Sequence, residues 1–179
     1  MSLVTIDQCT KIHPSLASIF EKIYAPNLLV MTNLITEPES AEYYACTFTL
    51  NDMHIKFRVA HVTPTKVGQF VTLWKPDATG GPIKPFDLAD AIDFVVITVQ
   101  SGNNHGQFIF SKMVLFDKGI FSKDGKGGKR AFRIYPSWNI ADNAQAKKSQ
   151  AWQLNYFLLT PLDGQIDMSR VKKLYQLER

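Results

Sequence analysis

The fold of this chain is decided by residues 55–75, which read IKFRVAHVTPTKVGQFVTLWK. Apolar and polar residues alternate on both sides of Thr63-Pro64, as expected for two β-strands with one buried face. Proline has no backbone N–H, so the strand ladder must break at this dipeptide. Lys56 and Arg58 share one face of the first strand. A sheet face that carries cations among aromatic side chains suits an anionic ligand with flat rings, such as nucleic acid.

More strands are expected on both sides of this segment. Residues 43–50 alternate in the same way, and Asn51-Asp52 is typical of a tight turn into a strand at 53–60. Residues 94–99, which read FVVITV, are apolar throughout and predict a central strand covered on both faces. The remaining strands are predicted at residues 69–75, 107–110 and 131–135.

Helices are predicted from apolar periodicity and from residues that favour helix ends. They span residues 14–24, 111–119, 142–159 and 168 onward. Pro14 suits a first helical turn, Ser111 and Asp142 suit N-caps, and Gly119 suits a helix stop. Residues 27–38 are predicted to be irregular. The order of elements indicates an α+β fold, with one domain over residues 1–179 and a mixed or antiparallel central sheet flanked by helices.

Length and composition indicate a protein of the cytoplasm. A chain of 179 residues with 45% hydrophobic content is long enough for one domain with a core. No apolar run reaches the roughly eighteen residues that a membrane span needs, and the N-terminus lacks the pattern of a signal peptide. Cys9 and Cys46 are too few and too far apart for a disulfide framework or a metal knuckle.

Charge is distributed unevenly along the chain, whose net charge is +4. Residues 1–54 carry two basic and six acidic residues, and the rest carries eighteen basic and ten acidic ones. Residues 112–133 alone hold seven cations against two aspartates. This segment, with a glycine-rich loop at 124–129 that is expected to be mobile, could follow a phosphate backbone by releasing counterions. An ordinary solvated surface loop is the alternative.

Motifs for common enzyme classes are missing. The run GKGGKR at 125–130 is not a phosphate loop, because Lys123 stands where its first glycine belongs and Arg130 where its Ser or Thr belongs. No Gly-x-Ser-x-Gly elbow is present, and the four histidines lack metal-binding spacing. We therefore predict no metal site and no cofactor.

A magnesium-dependent nuclease is the one catalytic alternative. It would place Asp93, at the start of the buried strand, near Lys112, at the end of the next one. The carboxylate expected two residues before Lys112 is replaced by Phe110, which leaves Mg²⁺ without an adequate ligand set. Asp87 and Asp90 are interpreted as helix-capping residues near the strand.

Two tryptophans near the predicted last long helix are interpreted differently. Trp152 falls on the apolar face of the helix and is assigned to the core. Trp138 lies in a loop, where its ring could stack on a base or contact a partner.

The chain resembles the bacterial MepB-like family. The opening segment follows the family pattern F-R-x-A-K-x-T-P-K-K-x-G-Q-F-V-x-x-W, and the similarity continues through residues 85–94, 106–120, 128–138 and 145–157. The resemblance implies a fold like that of restriction-endonuclease-type proteins, and binding of nucleic acid more than its cleavage. His61 and Thr65 replace two lysines of the family pattern, so we expect a weaker hold on a polyanion.

The leading hypothesis is therefore a DNA- or RNA-binding protein with no robust catalysis. The alternatives are a nuclease that uses Asp93 and Lys112 with Mg²⁺, and a module that binds a protein or small ligand through its aromatic residues. The residues predicted to contact nucleic acid are Arg58, Lys66, Lys112, Lys129, Arg130, Arg133 and Trp138.

Overall fold

The computed structural model describes residues 1–177, in which eleven strands and five α-helices follow one another along the chain. The strands are β1 (Met31–Thr36), β2 (Cys46–Leu50), β3 (Met53–Val59), β4 (His61–Thr63), β5 (Lys66–Thr72), β6 (Trp74–Lys75), β7 (Lys84–Pro85), β8 (Phe94–Ser101), β9 (Asn104–Ser111), β10 (Ala131–Ile134) and β11 (Phe157–Leu159). The helices are α1 (Ile6–Ile12), α2 (Pro14–Ile19), α3 (Lys112–Asp117), α4 (Ala144–Gln153) and α5 (Met168–Leu174).

Six strands form the central sheet, in the order β1-β2-β3-β8-β9-β11. Only β3 and β8 pair in parallel among them, so the sheet is mixed, and the α+β prediction is confirmed. A parallel pair needs a crossover connection. Here the crossover is residues 60–93, which supply β4 and β5 of the second, three-stranded sheet (order β10-β5-β4) and both strands of the two-stranded sheet β6-β7.

The central strand β8 is buried on both faces, as its sequence predicts. Phe94 and Val96 pack on one side, in a core shared with α1, α2 and α5. Val95 and Ile97 pack on the other side, against the small three-stranded sheet and α3. Because side chains of a strand alternate between faces, one apolar run joins two separate hydrophobic layers.

The break predicted at Thr63-Pro64 is confirmed as a hairpin turn. β4 ends at Thr63 and β5 begins at Lys66, with their register shifted next to the turn. The strand after the turn begins three residues earlier than predicted and ends at Thr72. Gly68, inside β5, has a φ of +83°, and the ring of Tyr135 occupies the space where a side chain would begin.

The N-terminal quarter contains more regular structure than predicted. The helix expected at residues 14–24 consists of α2 and a following π-helical turn (Phe20–Tyr24), and α1 was not predicted. The segment expected to be irregular contains β1, the edge strand of the central sheet. The strand predicted at 43–50 begins at Cys46, after a 3-10 segment (Pro38–Tyr43).

The predicted helix 142–159 is wrong at both ends. Its N-cap is Asn143, whose side chain accepts from the Ala146 N–H, rather than Asp142. The helix stops at Gln153, and after a 3-10 turn the chain adds β11 to the edge of the central sheet. Within residues 1–177, no helix is both long and apolar enough to cross a membrane.

Candidate nucleic-acid interface

A concave site of about 550 Å³ lies between α4, β10 and the β4-β5 hairpin, and we refer to it as the basic cleft. Its charged lining residues in the described part of the chain are Lys66, Lys118, Lys129, Arg133 and Asp142. Four cations against one carboxylate leave a formal charge of +3. Hydroxyl and amide groups, including those of Ser149 and Gln145, complete the polar lining. Since concave basic surfaces concentrate the potential, the cleft favours an anionic ligand.

Two glutamines fix α4 against the loop that follows β10, in which Tyr135 lines the cleft. The buried side chain of Gln153 accepts from the Tyr135 N–H at 2.8 Å and donates to the Arg133 carbonyl at 2.9 Å. One turn earlier, Gln150 Nε2 donates to the carbonyls of Pro136 (3.1 Å) and Asn139 (2.8 Å). These bonds satisfy backbone groups at the end of β10 and in the loop after it, so the backbone of this loop is fixed against α4.

Arg133 is held in place by the β4-β5 hairpin. Its Nη2 donates to Thr63 Oγ1 at 2.8 Å and its Nη1 to the Gly68 carbonyl at 3.3 Å. The guanidinium also lies 5.9 Å from the ring centroid of Phe70. A cation fixed in this way loses little conformational freedom when a phosphate binds.

Lys118 and Trp152 form the aromatic part of the cleft. The Lys118 ammonium lies 5.5 Å from the Trp152 ring centroid, within cation–π range. Trp152 also packs on Phe110 and Tyr156, but its side chain is only half-buried and lines the cleft. The assignment of Trp152 to the core is thus correct for part of the ring only.

Lys129 is placed by a loop that Asp87 anchors. The Asp87 carboxylate accepts from Ser122 Oγ at 2.7 Å and from the Gly125 N–H at 3.1 Å. Hydrogen bonds from the Ala89 N–H, Ser122 and Gly125 lower the pKa of Asp87 to about 2. The Lys129 N–H donates to the Ile120 carbonyl, which fixes the end of the loop. Asp87 is therefore a loop anchor, and its assignment as a helix cap is wrong.

Arg58 does not contact the surface, so its predicted role in binding nucleic acid is wrong. Its side chain is fully buried, pairs with Glu37 and donates to the Phe57 carbonyl at 2.9 Å. Lys56 lies on the same face of β3, as predicted, and pairs with the same carboxylate. Both cations thus hold the 3-10 segment that follows Glu37 onto the sheet.

Asp93 and Lys112 lie at neighbouring strand ends, but their side chains have different partners. The Asp93 carboxylate accepts from the His54 N–H at 2.7 Å. The Lys112 ammonium donates to the carbonyls of Leu88 (3.1 Å) and Asp90 (3.0 Å). Asp90 itself pairs with Lys75 and caps no helix. No group of three or more metal-binding side chains occurs in residues 1–177, and Lys112 closes a turn instead of reaching the cleft.

The remaining predicted residues lie in three places. Lys66, Lys129 and Arg133 meet in the basic cleft. Arg130 is exposed but does not line the cleft. Trp138 packs edge-on against Phe157 and lines a neighbouring groove.

Sequence reasoning missed three contributors to the cleft. Lys118 lies within segment 112–133, and the high number of cations in that segment is the sequence signal that could have identified it. Trp152 and Ser149 lie on α4 three residues apart, where helical spacing places them on one face. Their neighbours on the sheet could not be deduced from that spacing.

These features define an α+β protein whose mixed sheet supports an electropositive cleft. The family model described as MepB-like matches residues 37–159, more than half of the chain, and the chain belongs to the MepB-like family. Its structure is similar to the crystal structure of MepB, with 37% sequence identity and a TM-score of 0.69. The similarity covers 73% of this chain and 87% of that one. No significant match was found among curated protein sequences.

Proposed function

We propose that this protein binds nucleic acid in the basic cleft and does not cleave it. The observation that carries the proposal is the meeting of Lys66, Lys118, Lys129 and Arg133, from four separate elements or loops, around one concave site. Surface lysines that serve only solubility need not converge in this way. The half-buried ring of Trp152 lies beside these cations, and a base could stack on its exposed part.

Catalysis is left out of the proposal because the side chains that a nuclease would use are engaged elsewhere. Asp93 accepts from a backbone amide, and Lys112 is bound by two carbonyls. The restriction-endonuclease-like core that the family resemblance implies would serve here as a binding scaffold. Incubation of the protein with Mg²⁺ and labelled strands provides the direct check, and cleavage that Asp93→Ala abolishes would overturn this part.

The binding test is fluorescence anisotropy with labelled oligonucleotides of about 12 nucleotides, a length within the range covered by single-strand sites. Affinity should fall steeply between about 50 and 200 mM salt. If each of the four cations neutralises one phosphate, the slope of log K against log salt is about −3 for a single strand. Absence of binding at low salt to DNA and RNA, single- or double-stranded, would contradict the proposal.

Single substitutions connect the binding to the cleft. Lys129→Ala should weaken binding to every sequence and reduce the slope by about 0.7. Lys11→Ala is the matched control, since Lys11 is exposed on α1, which packs on the other face of the sheet. Equal effects of the two substitutions would show that binding follows net charge and does not use the cleft.

A small anionic ligand is the second candidate, and the volume of the cleft favours it. Small-molecule sites commonly enclose about 300 to 1,000 Å³, and the cleft lies in that range at about 550 Å³. A nucleoside monophosphate would then bind as tightly as an oligonucleotide. A gain in affinity with strand length supports the nucleic-acid proposal instead.

A further inference from the structure

A second groove, of about 350 Å³, lies beside the basic cleft, and we refer to it as the Trp138 groove. It is lined by Val62, Gln69, Trp138, Asn139 and Ile140, among others. Lys66 and Val67 line both sites, so the β4-β5 hairpin borders both of them. A ligand that occupies the cleft can therefore extend into the groove.

Three polar atoms of the groove lack hydrogen-bond partners within residues 1–177. They are Gln69 Oε1, Trp138 Nε1 and Asn139 Oδ1. Gln69 is almost fully buried, and its Nε2 donates to the Gln100 carbonyl at 3.0 Å, which fixes its orientation and leaves the oxygen as a free acceptor. Buried polar groups are nearly always paired, and an unpaired one is costly. Two acceptors and one donor gathered in one groove therefore indicate a ligand with a polar edge.

Apolar side chains are exposed at the same groove. Val62 is 63% exposed and Ile140 is 87% exposed. Exposed aliphatic side chains next to unpaired polar groups suit a ligand that is flat and apolar on its faces and polar at its edge. A nucleobase has this combination, and sugars or simple anions do not.

We propose that the Trp138 groove binds one unpaired base of a strand whose backbone lies in the basic cleft. The inference rests on the nucleic-acid binding proposed above and adds single-strand and base preference to it. The shared residue Lys66 would contact the phosphate between the nucleotide in the cleft and the base in the groove. A base within a duplex uses its edge for pairing, so only a single strand can present that edge.

Binding in this groove requires a local opening. The three unpaired atoms are closed to solvent in the free protein, so the side chains of Trp138 and Asn139 must turn to admit a base, while Gln150 continues to hold the loop backbone. The base then supplies the partners that these atoms lack, which offsets the cost of opening. Phosphate contacts in the cleft position the strand, whereas the groove discriminates among bases.

The test compares homopolymers of the four bases, and an abasic strand of the same length, on the full chain. The wild-type protein should bind its preferred homopolymer about tenfold more tightly than the abasic strand, the effect of a few hydrogen bonds. Trp138→Phe keeps an aromatic ring against Phe157 but removes the N–H, and it should flatten the ranking of bases. Trp74→Phe is the matched control, because Trp74 lies in β6 and does not line the groove.

A second variant tests the groove in case Trp138→Phe does not fold. Ile140→Ser changes an exposed residue and should also bring the preferred homopolymer close to the abasic strand, while Lys129→Ala should weaken all strands equally. If the abasic strand and all four homopolymers bind wild type with equal affinity, the base site is refuted and the basic cleft stands. If no strand binds, both proposals fall. If a mononucleotide equals the best strand, the groove and cleft serve a free nucleotide, which overturns the strand proposal.

Discussion

Replacing Glu37 by alanine should destabilise the protein far more than a surface substitution. Glu37 is 8% exposed and is the carboxylate that pairs with the fully buried Arg58. Its removal leaves the guanidinium with the Phe57 carbonyl at 2.9 Å and no counter-charge in the described residues. Lys56 loses the same partner, but its half-buried side chain can turn to water.

The expected loss of stability in Glu37→Ala follows from the cost of leaving a buried charge unpaired. Breaking a buried pair by removing one partner costs about 3 to 5 kcal/mol. Native domains are stable by only about 5 to 15 kcal/mol, so this is a large part of the total. For a chain of this length, each kcal/mol corresponds to about 2 to 4 °C, which gives a fall in Tm of roughly 6 to 20 °C.

Urea denaturation followed by circular dichroism measures the effect, with Glu39→Ala as the matched control. Glu39 lies in the same 3-10 segment but is exposed, so its substitution should change stability by less than about 0.5 kcal/mol. The double variant Glu37→Leu with Arg58→Met should recover most of the loss, since apolar replacement of a buried pair is often neutral. Equal stability of Glu37→Ala and Glu39→Ala would refute the reasoning.

Three further outcomes are expected from other parts of the fold. Burial lowers the pKa of His13, so stability should decrease as pH falls through the unfolded value near 6.5, and His13→Asn should remove this dependence in pH-dependent melting. Gly68→Ala should cost at least about 1 to 2 kcal/mol in urea titrations, because φ is positive and the Tyr135 ring fills the space. The lowered pKa of Asp87 gives stability that is complete above its unfolded value near 3.8 and is lost as pH falls towards 2; Asp87→Asn should remove that acid dependence and speed proteolysis of the loop after Ser122.

The sequence was most informative where one physical signal dominated. The apolar run at 94–99 predicted β8 because a short run rich in β-branched residues is typical of a strand covered on both faces. β1 was missed because its burial follows no clear alternation and Asn33 has a positive φ. α1 does carry a sequence signal, the capping box formed by Thr5 and Gln8, but apolar periodicity alone does not reveal it.

The cleft was only partly predictable, for a different reason. Alternation placed Lys56 and Arg58 on one face of β3 correctly, but it could not show that Glu37 and its 3-10 segment cover that face. Charge density pointed to residues 112–133, yet the fold selects Lys118, Lys129 and Arg133 from that segment. Local pattern determines which side of a strand a residue takes, whereas long-range contacts determine what covers it.

The two residues that depart from the family pattern, His61 and Thr65, have different expected effects on binding in the cleft. His61 stacks on Tyr43 with ring centroids 4.7 Å apart and does not line the cleft, so its change from lysine should not affect binding there. Thr65 is exposed in the hairpin turn and lines the cleft, so its change removes a cation from the site.

Thr65→Lys should therefore strengthen binding of a single strand at low salt and steepen the salt slope by about 0.7, the contribution of one added phosphate contact. His61→Lys adds the same charge to the same hairpin and should leave the slope nearly unchanged when both variants are titrated in parallel by anisotropy. If both substitutions strengthen binding equally, the ligand responds to the total charge of the hairpin, and the basic cleft is not the site.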